Sequence, residues 1–235
     1  MYEVHEFAEF REKVSDWEKE SSERKDTADE LHKRFENLKE IIGDSLPAVE
    51  NYAEAVDSHV GRHQKKVARL SEAIAEYLEL SLKERLALRA ASKLHDVGKI
   101  CVPPEILNKP GSLTQLEYDI AQFHSYIGFK VISKIRVMED AARIVYQHHE
   151  RIDGSGYPLG LKGSEINMGA RILAVADVLE AMTSSQPYRF SHDLKNTLEE
   201  ILKGRGTSYD PVVVDACIEL FKRKLFEENV SDLQT

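Results

Sequence analysis

Residues 168–184, MGARILAVADVLEAMTS, set an acid, Asp177, into a run whose apolar residues Ile172, Leu173, Val175, Val178 and Leu179 recur at helical spacing. A carboxylate buried in such a helix needs a cation or strong hydrogen bonds to stay charged. The same spacing extends outward over segments near 47–79, 83–97, 113–135, 138–149, 191–203 and 210–227, as in Val67, Leu70, Ile74 and Leu78. Nothing reads as a strand. The pattern predicts an all-α helical bundle, punctuated by Pro103-Pro104, Lys109-Pro110-Gly111, the glycine-rich stretch from Asp153 to Gly163, and Gly204 to Pro211.

The chain has 235 residues, enough for one well-buried domain and an appendage. No apolar run approaches the roughly 20 residues that span a bilayer, and the N-terminus is charged from its third residue. Cys101 and Cys217 lie far apart without metal-ligand spacing, so neither a disulfide framework nor a thiolate site is expected, and a cytoplasmic setting fits. A formal net charge of -9 argues against duplex nucleic acid as a partner.

Residues 1–45 form a separate unit. Phe7, Phe10, Val14 and Trp17, then Leu31, Phe35, Leu38 and Ile42, keep a 3-4 spacing whose phase crosses the polar positions Ser21 and Arg24. We read a coiled-coil linker with a weak middle, joining two copies as a homodimer; the alternative is one amphipathic helix lying on the following domain, residues 46–235.

Histidine carries the chemistry. Five of the nine carry the signal: His63, His95 beside Asp96, His124, and the pair His148-His149. Adjacent residues in a regular helix point about 100° apart, so such pairs converge only where a helix ends. Gly98 and Pro103 follow the first pair and Asp153-Gly154 the second, placing both at helix termini. Taken singly each histidine could be an ordinary core or surface residue; two pairs and an acid in an apolar helix make that a poor account of the set. Imidazoles and carboxylates without thiolates suit iron, manganese or zinc. Seven ligands exceed one ion. With Asp96 bridging, they suit two divalent ions about 3.5–4 Å apart, an arrangement that cleaves phosphodiesters by in-line attack.

The ordered motifs HDVGKICVPPEILNKPGSLT (95–114), His124, HHERIDGSGYPLGLKG (148–163) and ARILAVADVLEAMTSSQPYR (170–189) closely resemble the HD-GYP family of cyclic dinucleotide phosphodiesterases, over about residues 50–225. The resemblance implies an HD-type helical bundle. It implies metal ligands at His63, His95, Asp96, His124, His148, His149 and Asp177, holding two ions, iron or manganese. It implies catalytic roles for Asp96 and Lys99, the lysine stabilising developing negative charge or protonating the leaving 3′ oxygen. A lysine at a helix C-terminus can also be there for the dipole alone. The loop with Gly154, Gly156, Tyr157 and Pro158 is expected beside the substrate and is a contact candidate for a GGDEF-type synthase, though it could be an ordinary structured loop.

Two departures stand out. Gln186 replaces an arginine common in relatives, while Arg189 is kept, which bears on phosphate binding and on the choice between cyclic di-GMP and 3′3′-cyclic GMP-AMP. His59 stands where some relatives hold an acidic ligand for a third metal; we read His59, with Asp57, as outside the ligand set. The expected activity is hydrolysis of cyclic di-GMP to pGpG or GMP; the rivals are the mixed cyclic GMP-AMP as substrate, and an adaptor that binds nucleotide or synthase without turnover.

Overall fold

The computed structural model describes residues 11–16, 58–135, 138–183 and 194–232. The principal helices are α1 (Ser58–Tyr77), α2 (Leu82–Leu94), the short α3 (Pro104–Leu107), α4 (Gln115–Ile132), α5 (Glu139–Gln147), α6 (Met168–Thr183), α7 (Leu194–Lys203) and α8 (Pro211–Asp232). Among the described residues no strand forms, only isolated bridges. The all-α expectation is met.

Helix starts follow local chemistry. Ser81 caps α2 and Thr114 caps α4, each in a capping box with the glutamate three residues on, Glu84 and Glu117. The Pro103-Pro104 pair, read from sequence as loop, opens the one-turn α3, because proline at the first helical position has no N–H to leave unsatisfied.

α6 is the central post. It packs on α1, α2, α5, α7 and α8, and Ile172, Leu173, Val175, Ala176 and Leu179 are buried on its several faces. Its start is fixed twice: Asn167 accepts from the Gly169 N–H at 2.8 Å, and Arg171 donates to the Ile166 carbonyl and to Asp210 at the head of α8, both at 2.8 Å.

α2 does not run to residue 97. It stops at Leu94, and the chain tightens into a 3-10 turn, Val97–Cys101, laid across α4. Gly98 makes the crossing possible: a Cβ there would overlap the His124 carbonyl oxygen and stand 2.8 Å from the Gly128 nitrogen. The turn carrying Asp96 and Lys99 is thus pressed against the helix that carries His124.

Of residues 1–45 the described part is helical 11–16. Val14, a seam position in the heptad reading, is buried against Val102, Ile106 and Ile120 of the domain itself, and Lys13 Nζ lies 3.2 Å from Asp119 on α4. The remainder of the proposed coiled coil, and the dimer it would make, lie outside the described residues.

Gly98→Ala is expected to destabilise the protein by about 1–3 kcal/mol or more, because two main chains must part to admit one methyl. Urea denaturation of the variant against the parent checks this; equal midpoints and slopes would show that the crossing has slack.

Candidate metal centre

His95 and His148 are each the first residue past a helix, closing α2 and α5. The last carbonyls of a helix lack intrahelical partners. Both rings use one: His95 Nδ1 donates to the Ser92 carbonyl at 2.9 Å and His148 Nδ1 to the Val145 carbonyl at 2.6 Å. His124, inside α4, does the same to Ala121 at 2.7 Å. A carbonyl can only accept, so all three rings are fixed as the Nδ1–H tautomer, leaving the Nε2 lone pair to face the interior.

The seven sequence-nominated side chains converge. The ligand-capable atoms of His63, His95 and Asp177 lie within 4.8 Å of one another, and so do those of His124, His148 and His149; each trio could hold a metal ion. Asp177 Oδ1 stands 3.1 Å from His63 Nε2 and 3.6 Å from His95 Nε2. In the other trio, His124 Nε2 is 3.0 Å from His149 Nε2 and 3.4 Å from His148 Nε2. Asp96 sits between, its Oδ2 at 3.5 Å from His95 Nε2 and its Oδ1 at 3.9 Å from His124 Nε2. Lys99 Nζ contacts Asp96 Oδ2 at 2.7 Å.

The donor set fits a metal by a direct criterion. His95 Nε2 is buried with no hydrogen-bond partner, the nearest carboxylate oxygens standing 3.5 and 3.6 Å away. Unpaired imidazole nitrogen, carboxylates and facing Nε2 atoms are what an N/O-ligated divalent ion satisfies together.

Electrostatics divide the two trios. Burial depresses His124 to about 4 and, with His95 nearby, His148 to about 3; His149 falls well below its ordinary value for the same reason. Burial also opposes charge on His63, yet Asp177 and Glu180 outweigh it and raise the ring to about 10. Burial likewise disfavours ionised Asp96 and Asp177, but Lys99, His95 and His124 hold the first, and His63 and His95 the second, well below the carboxylate range.

The 153–163 loop forms the adjoining wall. Tyr157 stacks on His149 with ring centres 4.7 Å apart, and Tyr118 meets Tyr157 edge-on at 6.4 Å. Gly156 is pressed to the chain: a Cβ would lie 2.5 Å from both Glu150 Cα and the His149 carbonyl oxygen. Gly154 adopts φ 86, a conformation natural to glycine. Pro158 follows Tyr157 through a cis peptide bond.

The residue holding this loop was not nominated from sequence. Glu150, 2 % exposed, accepts the main-chain N–H of Leu159 at 2.6 Å and of Leu161 at 3.0 Å. Glu180, beside His63, was also missed. Its signal was present in the chain, three residues past Asp177 and so on the same helical face. Gln186, Arg189, Asp57 and the side chain of His59 lie outside the described residues, and the readings attached to them stand as expectations.

The family profile described as HD domain matches residues 47–213. The chain belongs to the HD domain family. Its ordered motifs are those of the HD-GYP branch. A "Cyclic di-GMP phosphodiesterase" of Thermotoga maritima is 38% identical over 198 residues, covering 83% of this chain and 53% of its own. A "3'3'-cGAMP-specific phosphodiesterase 2" of Vibrio cholerae is 36% identical over 193 residues, covering 79% of this chain and 37% of its own. This HD domain chain therefore spans about half the length of its relatives, or less. The solved structure of an HDG"Y"P protein from Bdellovibrio bacteriovorus superposes with a TM-score of 0.61 at 17% identity, covering 83% of this chain and 69% of that one, and shares the fold. No helix among the described residues is long and apolar enough to cross a membrane.

Glu150→Ala leaves two loop N–H groups without their acceptor, and a loss of about 1–3 kcal/mol is expected for each one left buried. Hydrogen exchange at Leu159 and Leu161 should accelerate while α4 and α6 stay protected; unchanged exchange in the loop would remove Glu150 from this role.

Proposed function

We propose that this HD domain chain is a dimetal phosphodiesterase that opens cyclic dinucleotides, with cyclic di-GMP as its first substrate. The observation that carries the proposal is the carboxylate of Asp96, which turns one oxygen to each histidine trio. His63, His95 and Asp177 would hold one ion, His124, His148 and His149 the other, and Asp96 would be shared. Donors of nitrogen and oxygen alone suit iron or manganese. When bound, two divalent ions neutralise phosphoryl charge and make water a competent nucleophile near neutral pH.

The chain's own groups do the rest. Burial opposes the charge on Lys99, but Asp96 outweighs it and raises the ammonium above its ordinary pKa. A side chain that keeps its proton so firmly fits stabilisation of phosphoryl oxygens better than proton delivery to the leaving group. Tyr157 stacks on the His149 ring and so helps to set its orientation. Tyr157 and the glycines beside it would line the substrate's approach, held there by Glu150.

Cyclic di-GMP is placed first because the Thermotoga maritima relative, which matches the larger share of this chain, is named for it. The Vibrio cholerae relative supports the mixed cyclic GMP-AMP as the second substrate to test.

The test is anaerobic purification, elemental analysis, and parallel turnover of cyclic di-GMP and 3′3′-cyclic GMP-AMP. Hydrolysis with about two ions per chain is expected, abolished by chelation and restored by Mn(II) or Fe(II). Lys99→Ala should lower kcat by about 10²–10³-fold at unchanged metal content, and Asp96→Ala should lose both metal and turnover. Stoichiometric metal without cleavage of either nucleotide would favour a binding adaptor instead.

A further inference from the structure

His63 is oriented by a different device from its neighbours. Main-chain carbonyls hold His95, His124 and His148. The Nδ1 of His63 instead meets Glu180 Oε2, a side-chain carboxylate from α6, while its Nε2 faces Asp177 Oδ1 at 3.1 Å. Glu180 and Asp177 are three residues apart on one helix, so a single face of α6 grips both nitrogens of one ring. Glu180 is only 6 % exposed, and Lys66 Nζ, one turn beyond His63 on α1, lies 3.3 Å from its other oxygen. A buried carboxylate is tolerated when so surrounded, and it raises the donor strength of an imidazole above what a neutral acceptor gives.

We infer that Glu180 is a positioning residue: by accepting from Nδ1–H it presents Nε2 of His63 as the ligand atom to a divalent cation held with His95 and Asp177. The inference rests on the dimetal reading above and adds to it a carboxylate that supports one trio and not the other. The His124 and His148 rings are held instead by the main-chain carbonyls of Ala121 and Val145. The two metal steps should therefore separate on substitution.

The experiment is titration of the metal-free full chain with Mn(II), followed by calorimetry and by the paramagnetic signal of free Mn(II), on the parent, Glu180→Ala and Glu180→Gln. The parent should show two steps. Glu180→Ala should weaken one of them by about 10–100-fold and leave the other alone. Glu180→Gln keeps an oxygen that accepts from Nδ1–H and should recover a large part of that loss. Equal affinities in both steps for a folded Glu180→Ala overturn the inference, as does equal weakening of both. Should the alanine variant fail to fold, Glu180→Met decides, since it keeps the length of the side chain without a carboxylate or amide oxygen: a selective loss in one step supports the role, and unchanged or equally weakened steps overturn it. A parent chain that takes up fewer than two ions sinks the dimetal reading itself, a result distinct from any behaviour of the variants.

Discussion

A carboxylate with both oxygens turned into a protein interior is a costly object, and the site is arranged around one. Asp96 is 9 % exposed and stays ionised because Lys99, His95 and His124 surround it. Since each oxygen answers to a different group, the two histidine trios cannot drift relative to one another without stranding charge. The rest of the architecture serves that placement. α2 must end before Asp96, the chain must tighten into a 3-10 turn, and that turn must lie directly on α4. Gly98 permits the approach, since any side chain there would meet the main chain at His124.

Helix ends do double duty here. The terminal turns of α2 and α5 expose carbonyls that solvent would otherwise satisfy. His95 and His148 satisfy one each, and the same hydrogen bond chooses the ring tautomer and aims the other nitrogen inward. Pairing a histidine with a second candidate ligand immediately after it then exploits the freedom gained as the helix stops. Asp96, at φ -95 and ψ 2, has left helical geometry and can face the point its neighbour faces. Inside a continuous helix the two side chains would diverge.

That logic was readable from residues 95–96 and 148–149 with the glycines and prolines after them, as were the helices, whose apolar periodicity reflects one buried face each. Other parts were illegible for physical reasons. Glu150 follows two histidines and precedes Arg151, and reads as one more charge at a loop; only the folded loop shows its carboxylate turned inward onto two amides. Gly98 looks like a helix stop, whereas its tertiary task is set by α4, a separate element more than a dozen residues downstream. Val14 obeys a heptad, but a heptad states only that one face is apolar. What covers that face at this position is Val102, Ile106 and Ile120 of the same chain.

The two trios are chemically unequal, and the inequality follows from where their carboxylates sit. His124, His148 and His149 are buried among one another with little compensating negative charge, so burial keeps them neutral and their lone pairs available. His63 and His95 face Asp177 and Asp96, which favour the protonated rings against the cost of burial. A divalent ion held as proposed would find neutral donors in the first of these settings and rings charged by their carboxylate neighbours in the second. Glu180 belongs to this side, where it meets Nδ1 of His63 and so fixes the ring whose Nε2 faces Asp177. His95, on the same side, is held by a main-chain carbonyl, so the charged partner is particular to His63.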